Sequence, residues 1–188
     1  MLSKEEAYNY IKGNVFHTIG CTEPVAIAYA ATAAYRLLGG GALQSVRVRI
    51  SVNIFKNAMA VGIPGSERKG ISFAVALGLV AGDWHKGLGL YEGVKRQHLE
   101  EAARIADSGL VQIELSDNEE KIYIHTEILS DRGKAEAEIR GSHANLLYVK
   151  ANDEMVYKGA EVQGKSSQSG GGVDLKLLNG LGMAELVK

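Results

Sequence analysis

The sequence predicts an α+β fold in which helices pack on a mostly antiparallel sheet. Two observations carry this prediction: an alanine-rich apolar segment and an amphipathic pattern in the first half, and short β-type runs separated by Asn, Asp and Gly turns in the second half. Helical and strand patterns segregated along a chain are typical of α+β proteins. A chain of 188 residues can also bury one good core without disulfides or metals. We therefore expect a single α+β domain.

Helical patterns dominate the first half of the chain. Ser3 and Glu6 have the spacing of a capping box and predict a short first helix. The segment 24–38 begins with a proline, is apolar on nearly every side and ends at three glycines, which predicts a central buried helix. Two further helices are predicted at Ser72–Ala81 and Leu90–Ala106.

Strand patterns begin after the glycines and dominate the second half. Apolar and polar residues alternate over Val46–Ser51, which predicts a strand with one solvated face, whereas residues 53–65 mix signals and receive no element. The later runs are separated by short turns and predict an antiparallel meander. They are Val111–Leu115, Lys121–Leu129, Ala135–Arg140, Leu146–Lys150 and Met155–Gln163.

The composition changes near the C-terminus. Residues 164–173 are rich in glycine and serine and predict a flexible linker. Asp174 can cap a short last helix within 174–188. The α+β domain is therefore expected to occupy residues 1–163.

Charge and cysteine content exclude several function classes. With 21 basic and 22 acidic residues, the net charge of −1 gives no field that would attract nucleic acid or an anionic membrane, so small polar partners are favoured. One cysteine permits no internal disulfide framework, and the N-terminus lacks the pattern of a secretion signal. The longest apolar stretch is shorter than the roughly 20 residues that span a bilayer. We expect a cytoplasmic protein, and the apolar helix 24–38 offers an interface for a homo-oligomer.

The single cysteine, Cys21, lies directly ahead of the predicted central helix. A thiol there faces unsatisfied backbone N–H groups and the positive end of the helix dipole, which favour the thiolate that attacks electrophiles or binds metal. The alternative is a small buried hydrophobic residue. A lone cysteine cannot hold a structural zinc or an iron–sulfur cluster, so further ligands would have to come from outside this chain.

Two other loops are candidates for ligand contact. Residues 62–70 contain Gly62 and Gly65 but lack the Lys-Ser/Thr pair of a phosphate loop; they form either an ordinary turn or a site for a carboxylate ahead of a helix. His143, in the loop 141–145, is either an acid–base group or a solvated side chain.

Five motifs in order resemble one known family. They are Gly20–Pro24, then Ser51–Asn53 with Lys56–Asn57, then Val61–Gly65, a helix with Ala74, Ala76, Leu77 and Gly78, and finally Gly141–Asn145. From about residue 15 onward, the sequence is similar to the N-terminal part of the L-cysteine desulfidases, a family also called serine dehydratase-like alpha subunits.

The resemblance implies an amino-acid lyase that works without pyridoxal phosphate. A 4Fe-4S cluster acts as a Lewis acid on L-cysteine or L-serine, and elimination of sulfide or water leads to pyruvate and ammonia. Cys21 would be a cluster ligand, with Glu23 and His143 as catalytic groups. The residues expected to bind the substrate are Asn53, Asn57, Gly62, Gly65 and Asn145.

The chain departs from that family in length. Members are about twice as long, and their other cluster cysteines lie in a C-terminal half that this chain lacks. We therefore expect a cluster not to assemble on this chain alone, and expect activity to need a second subunit that carries those cysteines. A separately encoded half, a truncated gene and an isolated domain all remain open. The alternative function is a non-catalytic domain that binds an amino acid or dimerises.

Overall fold

The computed structural model describes residues 17–159 and, before them, Ser3, Glu5 and Tyr8. Residues 17–159 belong to one compact unit, His17–Val162. The predicted first helix lies largely outside the described residues. The linker at 164–173 and the helix within 174–188 lie wholly outside them.

A buried helix, α1 (Thr22–Leu37), is the centre of the fold. Every residue from Pro24 to Ala34 is buried, which confirms the predicted central helix. Its small residues allow close packing against α3 (Ile71–Ala81), where a Cβ on Gly78 would lie only 2.5 Å from Thr32 Oγ1. Because Pro24–Ala34 of α1 are buried within the unit, they do not present the interface for a homo-oligomer that we expected from this apolar helix.

One face of a six-stranded sheet packs against α1, which confirms the α+β prediction. The strand order is β2-β1-β3-β4-β5-β6. All neighbouring pairs are antiparallel except β1 and β2, which are parallel. The strands are β1 (Leu43–Ile50), β2 (Val111–Leu115), β3 (Tyr123–Ser130), β4 (Gly133–Arg140), β5 (Leu146–Ala151) and β6 (Glu154–Lys158).

The sequence predicted β2 as a strand, but the predicted pairing of this strand was wrong. We expected it to open the antiparallel meander, but it lies at the sheet edge, parallel to β1, while β3 pairs with the other side of β1. The chain between β1 and β2 ends with the helix α4 (Arg96–Asp107) and provides the crossover that a parallel pair needs.

Two helical segments also differ from the predictions. The unassigned region contains α2 (Val52–Ala58), capped by Ser51, whose hydroxyl accepts a hydrogen bond from the Ile54 N–H at 3.5 Å. The helix predicted from Leu90 begins only at Arg96. Gly93 has φ +87°, so the chain there follows a turn that separates α4 from the 3₁₀ helix Trp84–Gly89.

No helix among the described residues is both long enough and apolar enough to cross a membrane.

Candidate functional site

The candidate site is built at the N-terminus of α1. Gly20, with φ +101°, turns the chain, and the exposed Cys21 is the N-cap residue, although its side chain makes no capping hydrogen bond. Glu23 lies in the first turn, where the helix dipole stabilises a carboxylate. The Thr22 hydroxyl donates to Glu23 Oε2 at 3.1 Å. Thr22 was not among the predicted site residues. Its position beside Glu23 was the one feature of the sequence that could have indicated it.

Two residues distant in sequence meet Glu23 at its other oxygen. The Asn57 side-chain amide on α2 donates to Glu23 Oε1 at 3.3 Å, and His143 Nε2 lies 3.9 Å from the same oxygen. Three of the residues predicted for catalysis or binding thus converge from α1, α2 and the turn between β4 and β5.

His143 is the group in this cluster whose chemistry is altered by its surroundings. Its side chain is 26% exposed, and Nε2 is buried with no hydrogen-bond partner among the described residues. Burial lowers the pKa of His143, and the Glu23 carboxylate opposes that shift. The imidazole is therefore neutral near pH 7 and can accept a proton. A buried nitrogen without a partner is uncommon in folded proteins, so His143 Nε2 is a candidate contact for a ligand or a water.

The structure gives Asn145 and Asn53 different surroundings. The Asn145 side-chain amide donates to the Arg140 carbonyl at 2.8 Å, so this group closes the turn that carries His143. Asn53 is exposed on α2, one turn before Asn57 and on the same helix face.

The loop with Gly62 and Gly65 packs beside the start of α1. Gly62 pairs with Lys69, and Gly65 has φ +75°. The ring of Pro64 lies so close to Gly20 that a Cβ on Gly20 would be 2.9 Å from its Cγ. The loop therefore braces the segment that leads into Cys21.

A groove of about 790 Å³ is lined by residues of this loop and of α4. Gly65 lines it together with Phe73, Tyr91 and Leu99, but Glu23, Asn57 and His143 do not. The structure thus places Gly65 at the groove, whereas Gly62 does not line it.

The described residues do not fit an iron–sulfur cluster. They contain no group of three or more His, Cys, Asp and Glu side chains placed to hold a metal ion. Cys21 is the one cysteine of the sequence, and such clusters need about four ligands. What the described residues offer is a carboxylate that accepts from an amide at 3.3 Å and lies 3.9 Å from a neutral imidazole nitrogen, a set suited to proton transfer.

Several curated relatives carry the name UPF0597 protein. The chain is similar to UPF0597 proteins. That of Alkaliphilus metalliredigens is 36% identical over 157 residues, which cover 82% of this chain and 35% of the relative. For Porphyromonas gingivalis the identity is 35% over 168 residues, 89% of this chain and 39% of the relative. No family model matches the chain. The chain spans between a third and two fifths of the length of these relatives.

These names correct the resemblance drawn from the motifs. The relatives are UPF0597 proteins, not L-cysteine desulfidases or serine dehydratase alpha subunits, so the assignment to that family is wrong. Short motifs in the same order were too weak a basis for choosing a family.

Proposed function

We propose that Glu23, Asn57 and His143 form the proton-transfer site of an enzyme part that acts on a small α-amino acid. The reaction proposed is elimination of sulfide from L-cysteine or of water from L-serine. The observation that carries this proposal is His143 Nε2, which has no hydrogen-bond partner among the described residues and lies 3.9 Å from the Glu23 oxygen that accepts from Asn57.

The chemistry of elimination needs these two kinds of group. One base removes the proton from Cα as the Cβ–S or Cβ–O bond breaks, and an acid protonates the departing sulfide or hydroxide. The resulting 2-aminoacrylate takes up water and yields pyruvate and ammonia. Neutral His143 can take the Cα proton and then, as imidazolium, give it to the departing sulfide or hydroxide, while the nearby Glu23 carboxylate stabilises the imidazolium and Asn57 fixes that carboxylate.

A 4Fe-4S cluster stays outside this mechanism because the described residues do not fit one. If a cluster takes part, its ligands other than Cys21 belong to polypeptide outside this chain, and a second subunit is one source. We place the enzyme in the cytoplasm, where a chain with one exposed thiol keeps it reduced.

A second candidate is an amino-acid binding domain without catalysis. The single cysteine of the sequence favours it, because an iron–sulfur cluster needs about four ligands. The two candidates agree on binding and differ on turnover, because a binding domain would release no pyruvate.

Binding is tested by recording the histidine imidazole NMR signals of this chain during titration with L-serine and L-cysteine. We expect saturable shifts of the His143 signal that Glu23→Gln weakens, with unchanged signals for the exposed His85 as the internal control. Absence of any His143 shift at millimolar amino acid would contradict both candidates.

A further inference from the structure

The Glu23 carboxylate is held by a hydrogen bond at each of its two oxygens. The Asn57 side-chain amide donates to Oε1 at 3.3 Å, and the Thr22 hydroxyl donates to Oε2 at 3.1 Å. His143 Nε2 lies 3.9 Å from Oε1. The two oxygens therefore have different surroundings, because Oε1 is near the imidazole whereas Oε2 is bonded to a hydroxyl.

The contact between Thr22 and Glu23 is unusual for neighbours on a helix. Successive side chains of an α-helix point roughly 100° apart around its axis, so residues i and i+1 do not normally meet. Both residues belong to the first turn of α1, where Cys21 is the N-cap residue and makes no side-chain capping hydrogen bond. The hydrogen bond from Thr22 thus fixes the Glu23 side chain in one particular orientation at the start of the helix.

One donor alone would leave the plane of this carboxylate free to turn. The last torsion of a glutamate side chain has broad minima, so the distance from its oxygens to a fixed neighbour varies. The Asn57 hydrogen bond is long, at 3.3 Å, and its donor lies on the separate helix α2. A second donor at Oε2 restricts the rotation, because turning the carboxylate would break both hydrogen bonds.

We propose that Thr22 is a positioning residue, whose hydroxyl holds Glu23 Oε2 so that Oε1 stays directed at His143. This role rests on the proposed function, in which His143 becomes an imidazolium that the Glu23 carboxylate stabilises. A carboxylate that is already in place stabilises a developing charge without having to reorganise. The positioning itself is measured without substrate.

The test is an NMR pH titration of the His143 imidazole in variants of Thr22. Thr22→Val removes the hydroxyl and keeps the shape of the side chain, whereas Thr22→Ser keeps the hydroxyl. Thr22→Ala removes it with a better helix former and replaces the valine variant should that variant not fold. His143→Gln identifies the signal of this histidine, and circular dichroism checks that each variant is folded.

Two controls separate the hydroxyl from other effects of the substitution. Thr18 lies in the segment that leads into α1, but its hydroxyl donates to the Gly20 carbonyl at 3.3 Å, so Thr18→Val removes a neighbouring hydroxyl of a different role. The second control combines Thr22→Val with Glu23→Gln. A hydroxyl that acts through the carboxylate has no effect on His143 once the charge of that carboxylate is removed.

We expect Thr22→Val to lower the pKa of His143, in the same direction as Glu23→Gln but by less, because a mobile carboxylate supports the imidazolium less well. Thr22→Ser and Thr18→Val should leave this pKa unchanged, and Thr22→Val should have no effect beside Glu23→Gln. An unchanged or raised pKa in Thr22→Val would overturn the proposal. An equal fall in Thr22→Ser or Thr18→Val, or a fall that persists beside Glu23→Gln, would also overturn it.

Failure of this positioning role and failure of the proposed function give different results. A pKa of His143 that ignores Thr22 leaves the titration with L-serine and L-cysteine unaffected. Absence of any His143 shift in that titration contradicts the proposed function, whatever the Thr22 variants show.

Discussion

At the scale of single residues, the pKa of His143 reports most directly on the site. Burial holds this pKa below its ordinary value near 6.5, and the Glu23 carboxylate partly opposes the shift. We therefore expect Glu23→Gln to lower the pKa of His143 further, since it removes the charge that favours imidazolium. An NMR pH titration of the imidazole measures it. A His143 pKa above 6.5, or an increase in the variant, would show that the carboxylate and the imidazole are not arranged as described.

A second residue-scale prediction concerns Gly20, which places Cys21 and Glu23. Gly20→Ala must adopt φ +101° and bring its Cβ to 2.9 Å from Pro64 Cγ. We expect a loss of about 1–3 kcal/mol in the free energy of unfolding, as is typical of a residue held in a strained conformation. Urea denaturation measures this loss.

Gly65→Ala is the matched control for that experiment. Gly65 has φ +75°, but among the described residues no neighbouring atom lies within 4 Å of the position that an alanine Cβ would take. The substitution therefore tests backbone strain without the clash, and Gly20→Ala should be the more destabilising of the two. Equal effects would mean that Pro64 does not brace the segment ahead of α1.

At the scale of secondary-structure elements, the cap of α2 is the sharpest test. The Ser51 hydroxyl accepts from the Ile54 N–H and donates to the Lys121 carbonyl at 2.9 Å. We expect Ser51→Ala to lower the free energy of unfolding by about 1–2 kcal/mol. Ser51→Thr should lower it much less, because threonine also caps a helix. Chemical denaturation checks both. An alanine variant as stable as the parent would show that Ser51 does not fix the start of α2 and therefore does not position Asn57.

The elements that the sequence predicted well are those with a strong local signal. The buried α1 follows from continuous apolar residues between Pro24 and the glycines, and β3 to β6 follow from alternation and turn residues. The short α2 was missed because seven residues carry little periodicity, although Ser51 ahead of Val52 was a capping signal. The parallel pairing of β2 depends on tertiary contacts, which a local pattern does not contain.

The candidate site was predictable only in part, for the same reason. Glu23 and Asn57 belong to motifs that the sequence displays, and His143 stands in a recognisable turn. Their convergence on one carboxylate oxygen is a product of how α1, α2 and the β4–β5 turn pack. The role of Asn145 in closing its own turn depends equally on a partner, the Arg140 carbonyl, that no sequence pattern identifies.

At the scale of the whole molecule, a buried histidine outside the candidate site links stability to pH. His125 on the outer sheet face is 8% exposed and lies 3.9 Å from Glu127 and 3.8 Å from Glu136. Burial lowers its pKa, an effect opposed by Glu136, Glu127 and Glu138 and supported by Arg49.

The lowered pKa of His125 predicts how the stability of the fold changes as the pH falls. Because the unfolded chain binds protons at His125 and His143 more readily than the folded chain, their contribution to stability is full above about pH 6.5 and is lost as pH falls through the folded pKa values. We expect His125→Gln to flatten this part of the stability profile, measured by urea denaturation between about pH 7.5 and 5. A profile as steep in the variant as in the parent would contradict the role of His125.

The proposal that this chain holds the proton-transfer groups of an amino-acid lyase is tested most directly by turnover. Pyruvate and ammonia release from L-cysteine and L-serine is measured under anaerobic conditions with the chain in the assembly purified from its native host. Glu23→Gln and His143→Gln should each lower kcat about 100-fold or more, as expected for loss of a general acid or base, while His85→Gln should leave it unchanged. Pyruvate release that is undiminished in both variants would contradict the account.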